Sequence, residues 1–406
     1  MTESLVLRGT VVGGSSGSID DGIVVVDGEL ISWVGAAKDY ALADVRDAAD
    51  VPDAGDVPDA TDCVILPGLI DVHSHGAAGA GFPNTDAAGA RVAASHHREH
   101  GTTGLLASLV SAPRADLMRQ AAMLADLVED GEILGIHLEG PFINCVRCGA
   151  QDPAAIVPGD PDLLEEVCNA ARGHVRSMTL APETENFEKL LDVMRRRGIL
   201  PSFGHTDADA AATSTRIGQA ARSGRVSATH LFNGMPPLHH RSPGPVAACL
   251  AAAGRGEMVV ELIADGVHLA PETVSMVFDT VGPDQITLVS DSMAAAGMAD
   301  GNYQLGALDV VVSGGVARLA TSDGSDGAIA GGTARLLDVL RSTVLDSGVA
   351  LADAVTAATR TPATLLGLHD SHGSLTAGYR ADILVTDRHL RPVRVLHGGR
   401  AAGKEI

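Results

Sequence analysis

From residue 64 onward the chain alternates short runs rich in Val, Ile and Leu with Ala- and Leu-rich stretches of helical length. The runs fall at 64–75, 104–110, 133–139, 177–181, 200–205, 227–231, 258–264 and 286–291. Most are too continuously apolar to keep a solvent face, so they read as strands covered on both sides, the habit of parallel sheets. Stretches such as 116–129 and 207–222 supply the helical crossovers that parallel neighbours require. Eight such units predict an α/β fold of the (β/α)8 TIM-barrel type. A doubly wound open sheet ranks second, because no Gly-rich phosphate fingerprint follows the first run.

Both chain ends fall outside this alternation. Short strand patterns at 5–7, 23–26 and 30–34, with the turn signal Asp27-Gly28 between the last two, precede the barrel. Strand patterns return at 381–386 and 393–396, after a Gly-rich loop at 323–332 and two helical stretches at 333–347 and 351–361. The expected organisation is a barrel over 64–364 and a small β-sandwich domain assembled from 1–63 and 365–406. The repetitive acidic stretch VPDAGDVPDA at 51–60 reads as a solvated loop with no chemistry.

Composition removes several classes of function. A formal charge of −22 with no Lys/Arg-rich run argues against nucleic acid or an anionic membrane surface as partner. The N-terminus lacks a signal-peptide pattern and no apolar run approaches a membrane span, so a cytoplasmic protein is expected. Five cysteines at irregular spacing do not make a disulfide framework. Cys145 and Cys148 form a lone C-x-x-C without the second pair that a zinc ribbon needs.

The chemistry lies at the carboxyl ends of the runs. His73 and His75 end the first, and residues i and i+2 of a strand face the same way. Glu139 ends the third, His205 the fifth, His230 the sixth and Asp291 the eighth. Taken singly, each has an ordinary structural reading, such as a core histidine or a turn-capping carboxylate. In a barrel, however, these ends converge on one mouth. Four imidazoles and two carboxylates gathered there would be costly to bury without a partner. They suit a divalent cation, Zn²⁺ or a similar ion.

These residues carry a resemblance. The segments PGLIDVHSHG (67–76), HLEGPF (137–142), GHTDA (204–208), THLFNGM (229–235), ADGVH (264–268) and SDSMAAAG (290–297) resemble the amidohydrolase superfamily. Within it, HLEGPF followed by THLFNGM is similar to the N-acetylglucosamine-6-phosphate deacetylases. The resemblance implies that Glu139, His205 and His230 hold the main metal. His73 and His75 would hold a second, with Glu139 able to bridge. It implies Asp291 as general base and then general acid. The phosphosugar substrate would meet Ala150, Asn233, Gly234, His268 and Arg241, the last reaching into the neighbouring site of a homodimer. Relatives usually carry a histidine where this chain has Gln151, a position tied to polarising the substrate carbonyl.

Three other readings compete. A cyclic-amide hydrolase shares the barrel and the H-x-H, but commonly uses a strand-end lysine, and none occurs here. A scaffold that has lost its ligands, or a phosphosugar sensor without turnover, would share the fold but not the chemistry.

Overall fold

The computed structural model describes residues 4–14, 17–40, 62–222, 224–322 and 325–403. The acidic stretch at 51–60 lies outside the described residues. Eight parallel strands form one sheet in sequence order: Leu69–Ser74, Thr102–Leu109, Gly135–Glu139, Val175–Leu180, Leu200–Phe203, Ser227–Ala228, Val259–Leu262 and Ile286–Leu288. The first and last meet just beyond their ordered ladders. Asp291 N–H donates to the His73 carbonyl (2.9 Å), His75 N–H donates to the Ser292 carbonyl (2.7 Å), and Ser74 bridges Ser292 in parallel. The sheet thus closes into the expected barrel, with its seam at the mouth.

The crossover helices start where the sequence places short acids. The Asp86 side chain accepts from Gly89 N–H ahead of Ala87–Glu99. Asp160 and Asp209 do the same for Pro161–Ala170 and Ala210–Ala221. Each satisfies a donor that the first helical turn leaves unpaired. Phe187–Arg197 ends at Gly198, whose φ of 69° a residue with a side chain adopts only at a cost. With aromatics at 2% of the chain, Phe82, Phe142, Phe187 and Phe203 are among the largest fully buried side chains, and aliphatics fill the rest.

The run that begins at Val64 is two strands rather than one. Cys63–Pro67 belongs to the flanking sheet, pairing with Leu5–Gly14 and Ile383–Asp387, and Leu69–Ser74 belongs to the barrel. The partner changes at Gly68, whose N–H donates to the Asp382 carbonyl while Leu69 N–H donates to the Gly101 carbonyl. A Cβ at Gly68 would overlap the Thr103 side chain, so only glycine permits this close crossing. The Pro67-Gly68 pair was the available breaker signal inside an otherwise apolar run.

The flanking sheet has seven strands drawn from both chain ends: Arg400–Ala401, Pro392–His397, Ile383–Asp387, Cys63–Pro67, Leu5–Gly14, Gly17–Asp27 and Leu30–Ala36, in that spatial order. It folds over on itself as a sandwich around Val11, Val24, Ile31, Ile65, Ile383 and Leu396. Ile31 N–H to the Tyr379 carbonyl and Ala381 N–H to the Glu29 carbonyl tie the two halves together. Asp27 pairs with Leu30 across the expected tight turn, with Gly28 at φ 59°.

One element had no counterpart in the sequence reading. A three-stranded antiparallel sheet, Gly301–Leu305, Leu308–Ser313 and Val316–Leu319, follows the last barrel strand. Its buried face (Leu305, Val310, Val312, Ala317) packs on Val110 and Met293 near the mouth. Alternation in LDVVVS followed by Gly314-Gly315 was the signal for it. Among the described residues, no helix is long and apolar enough to cross a membrane.

Candidate metal centre and substrate pocket

Glu139 stands at the centre of the mouth. Its Oε1 lies 2.9 Å from His205 Nε2 and 2.9 Å from His230 Nε2. Its Oε2 lies 3.1 Å from His75 Nε2 and accepts from Gln151 Nε2 at 2.6 Å. His73 and His75 project side by side as their spacing requires, with Nε2 atoms 3.2 Å apart. Asp291 Oδ1 reaches both, at 3.4 and 3.3 Å. All six side chains are buried. His205, His230 and Asp291 have φ values of 48°, 29° and 45°, where residues with a Cβ are strained by roughly 1–3 kcal/mol each. The chain therefore turns abruptly after strands five, six and eight, and the turn carries these side chains into the mouth.

The outer nitrogens show which way the lone pairs point. His75 Nδ1 bonds the Ser108 carbonyl at 3.2 Å and His205 Nδ1 bonds the Arg147 carbonyl at 2.7 Å. A carbonyl can only accept, so each Nδ1 carries the hydrogen and each Nε2 turns a lone pair inward. His73 Nδ1 faces Glu261 Oε2 at 3.1 Å, which orients it likewise. Inward lone pairs meeting carboxylate oxygens are unfavourable unless something positive lies between them. Protons can fill that role in part. Burial opposes charge on His73, yet Asp291 and Glu139 hold its pKa well above the usual imidazole value. Burial likewise opposes charge on His75, but bonds to Asp291 and Glu139 push it up to about 9. Burial disfavours ionised Asp291 as well, and the charges of His73 and His75 still bring it down to about 2. A divalent cation meets the same need with better geometry, because every inward atom is already a ligand type. Two groups of three serve it: His73, His75 and Asp291, and Glu139, His205 and His230, with donor atoms in each group within 4.8 Å of one another.

Beneath this centre the barrel interior is polar. His137 bonds Ser108 Oγ (2.9 Å) and Thr179 Oγ1 (2.8 Å), and Thr229 Oγ1 joins Thr179 (2.7 Å) and Ser202 (2.6 Å). Burial, then the charge on His73, keeps His137 well below the usual imidazole pKa, so it acts as a neutral linker. Asp71 accepts from the Ser290 hydroxyl at 2.6 Å across the seam, and burial raises its pKa to about 6.

Above the centre is a cavity of about 260 Å³ lined by His75, Glu139, Ala150, Gln151, His205, His230, Asn233, Gly234, His268 and Asp291, together with Leu305 and Gly331. Gln151 is held at both ends, accepting Ser111 N–H at 2.7 Å through Oε1 while Nε2 donates to Glu139. His268 is anchored by Asp265 Oδ2 at 2.8 Å, and against the effect of burial this contact raises its pKa. A side chain on Gly234 would come within 2.9 Å of His205 Nδ1. Cys145 and Cys148 are free thiols, exposed and half-buried, in the same loop as Gln151. Eleven of the twelve site residues expected from the sequence thus border one pocket or the cluster beneath it. Arg241 does not. It lies exposed beside the His239–Ser242 bridge, with Nη1 2.9 Å from His240 Nε2. Glu261 is a residue the sequence reading passed over. A lone carboxylate inside the apolar run MVVELIA was the sign of it.

Comparison with known proteins agrees with this geometry. The chain is 34% identical over 349 residues to the N-acetylglucosamine-6-phosphate deacetylase of Bacillus subtilis, spanning 84% of this chain and 85% of that protein. It is 31% identical over 343 residues to the N-acetylgalactosamine-6-phosphate deacetylase of Escherichia coli O157:H7, spanning 84% and 88%. A solved structure of a mutant N-acetyl-D-glucosamine-6-phosphate deacetylase from Mycobacterium smegmatis, in complex with N-acetyl-D-glucosamine-6-phosphate, superposes with a TM-score of 0.87. It is 35% identical and covers 99% of this chain and 100% of that one. The amidohydrolase family matches residues 64–401, a span that contains the whole barrel and every donor of the cluster. A closed barrel with its histidines and carboxylates at one mouth is the expression of that match, and the chain belongs to the amidohydrolase family.

Proposed function

We propose that this protein removes the acetyl group of N-acetylglucosamine 6-phosphate by hydrolysis, releasing glucosamine 6-phosphate and acetate. The observation that carries the reading is Glu139 clasped by His205 and His230, with Asp291 beside it, at the floor of a cavity sized for a sugar phosphate. The relatives' names supply the substrate class.

In this reading Glu139, His205 and His230 hold one divalent ion, and His73, His75 and Asp291 favour a second. Zn²⁺ best suits a set of imidazoles and carboxylates. Such an ion supplies Lewis acidity toward oxygen, which lowers the cost of deprotonating water and polarises a carbonyl. The chain's own groups do the rest. Asp291, a carboxylate whose Oδ1 lies beside His73 and His75 at the floor of the cavity, takes the proton from the attacking water. As the C–N bond breaks, it returns that proton to the sugar nitrogen, which leaves as an amine. The Gln151 amide has two N–H groups, and only one is committed to Glu139. The other donates to the acetamido oxygen as charge develops there. An imidazolium would stabilise that charge more, so Gln151→His is expected to raise the turnover number. An equal or lower value would remove residue 151 from carbonyl polarisation.

His268, Asn233, Gly234 and the loop at Ala150 form the remaining wall, and they recognise the sugar phosphate. Arg241, exposed and outside its own pocket, completes the phosphate site of a partner in a homodimer, where guanidinium geometry matches phosphate. Arg241→Ala is expected to raise KM at least tenfold with a smaller change in kcat, and an unchanged KM would exclude it from binding. We place the reaction in the cytoplasm, where a sugar phosphate, too polar to leak across a bilayer, would be retained once formed.

The direct test is acetate release from N-acetylglucosamine 6-phosphate by metal-free protein, before and after Zn²⁺ is restored. Parallel assays with N-acetylgalactosamine 6-phosphate address the second reading, which the Escherichia coli relative favours. Zn²⁺-dependent acetate from the first substrate is expected. Acetate from neither would end the deacetylase assignment.

A further inference from the structure

Glu261 occupies the seventh barrel strand (Val259–Leu262), is 2% exposed and does not border the cavity. Its carboxylate faces the metal cluster from behind. Oε2 accepts from His73 Nδ1 at 3.1 Å and from the His230 main-chain N–H at 3.2 Å. Its own carbonyl accepts Leu231 N–H at 2.8 Å, so the strand and the turn after strand six are joined twice.

These two contacts differ in kind from those holding the other imidazoles. His75 and His205 are oriented by main-chain carbonyls, which a side-chain substitution leaves in place. His73 is oriented by a side chain. Among the described residues His230 has no partner for its ring Nδ1 and it sits at φ 29°, so apart from the Nε2 contact with Glu139 its placement rests on its main chain, whose N–H ends on Glu261. One carboxylate oxygen therefore anchors one member of each three-residue group.

We propose that Glu261 is the positioning residue for the His73–His75–Asp291 metal position and couples that position to the Glu139–His205–His230 position. The proposal rests on the metal-dependent reading above but not on the identity of the substrate. Partners behind a ligating histidine typically change metal affinity by roughly 10- to 100-fold. The larger effect should fall on the first position, where the His73 ring itself is released. The second loses only the main-chain anchor of His230.

The test is titration of the metal-free protein with Co²⁺ against a competing chelator, reading the visible absorption of the bound ion and the ion count at saturation. His73→Ala identifies the first position by the ion it removes. Glu261→Leu is expected to weaken the ion at that position by roughly 100-fold and to alter the cobalt spectrum. Glu261→Gln keeps an oxygen acceptor and serves as the variant more certain to fold, with roughly a tenfold loss expected. The rise in Tm on metal binding should shrink in the same order. A merely structural role would lower Tm equally with and without metal and leave both affinities unchanged, and that result would overturn the proposal. So would a wild-type protein whose metal binding is indifferent to His73→Ala. Failure of the deacetylase reading would look different, with both ions bound normally and no acetate released.

Discussion

Asp291→Asn is expected to lower the rate of acetate release by roughly 10²–10⁴-fold, the usual contribution of a positioned acid–base group. The amide keeps an oxygen for the cluster and nearly the same volume, but it cannot accept and return a proton. Substrate affinity should stay close to that of the wild type, because Asp291 lies at the metal cluster whereas the proposed phosphate contacts, His268, Asn233 and Gly234, are other residues of the cavity lining. A turnover defect without a binding defect is the signature of an interaction made only in the transition state. The measurement is steady-state turnover together with direct titration of substrate binding to the variant. A rate within a few-fold of wild type would assign the proton transfers elsewhere.

Glu139→Gln should do more damage, and of a different kind. Both oxygens of Glu139 are in use, with Oε1 between His205 and His230 and Oε2 near His75 and Gln151. An amide brings N–H hydrogens into a space toward which lone pairs converge. Both groups of donors should lose their ion, and acetate release should fall below detection. The metal-free protein should suffer as well. Burial opposes ionisation of Glu139, yet the charge on His73 and the bonds from His205 and His230 hold its pKa well below the usual carboxylate range. Removing one partner of a buried ionic cluster typically costs roughly 3–5 kcal/mol. Metal analysis of the purified variant and a denaturant midpoint for its metal-free form check the two halves separately. A variant that retained its ions would show that Glu139 is not the shared ligand.

What could be read from the sequence, and what could not, divides along physical lines. Every cluster residue sits at the end of an apolar run, and strand ends of a parallel barrel must meet at one mouth, so His73, His75, Glu139, His205, His230 and Asp291 were identifiable together. Alternation of strands and helices was legible for the same reason. Glu261 was not singled out because it lies within a strand, where end-of-strand logic does not look. The split at Gly68 was hidden by continuous hydrophobicity, since one buried run can serve two sheets if a glycine lets the chains cross. The three-stranded element at 301–319 is local and antiparallel, and a search for crossovers passes over it. Arg241 marks a different limit. The phosphate contact proposed for it would be made in a second chain, and within one subunit it is an exposed cation bonded to His240.

The seam between the first and last strands bears on how this protein must be made. His73, His75 and Asp291 are joined through the very main-chain bonds that shut the cylinder, although more than two hundred residues separate them along the chain. During synthesis the ribosome delivers five of the six donors long before the sixth. A nascent polypeptide is therefore unable to assemble the complete centre until its eighth strand has emerged and docked. Long-range pairings of this sort are slow to form, and here the slow event is also the one that creates the catalyst.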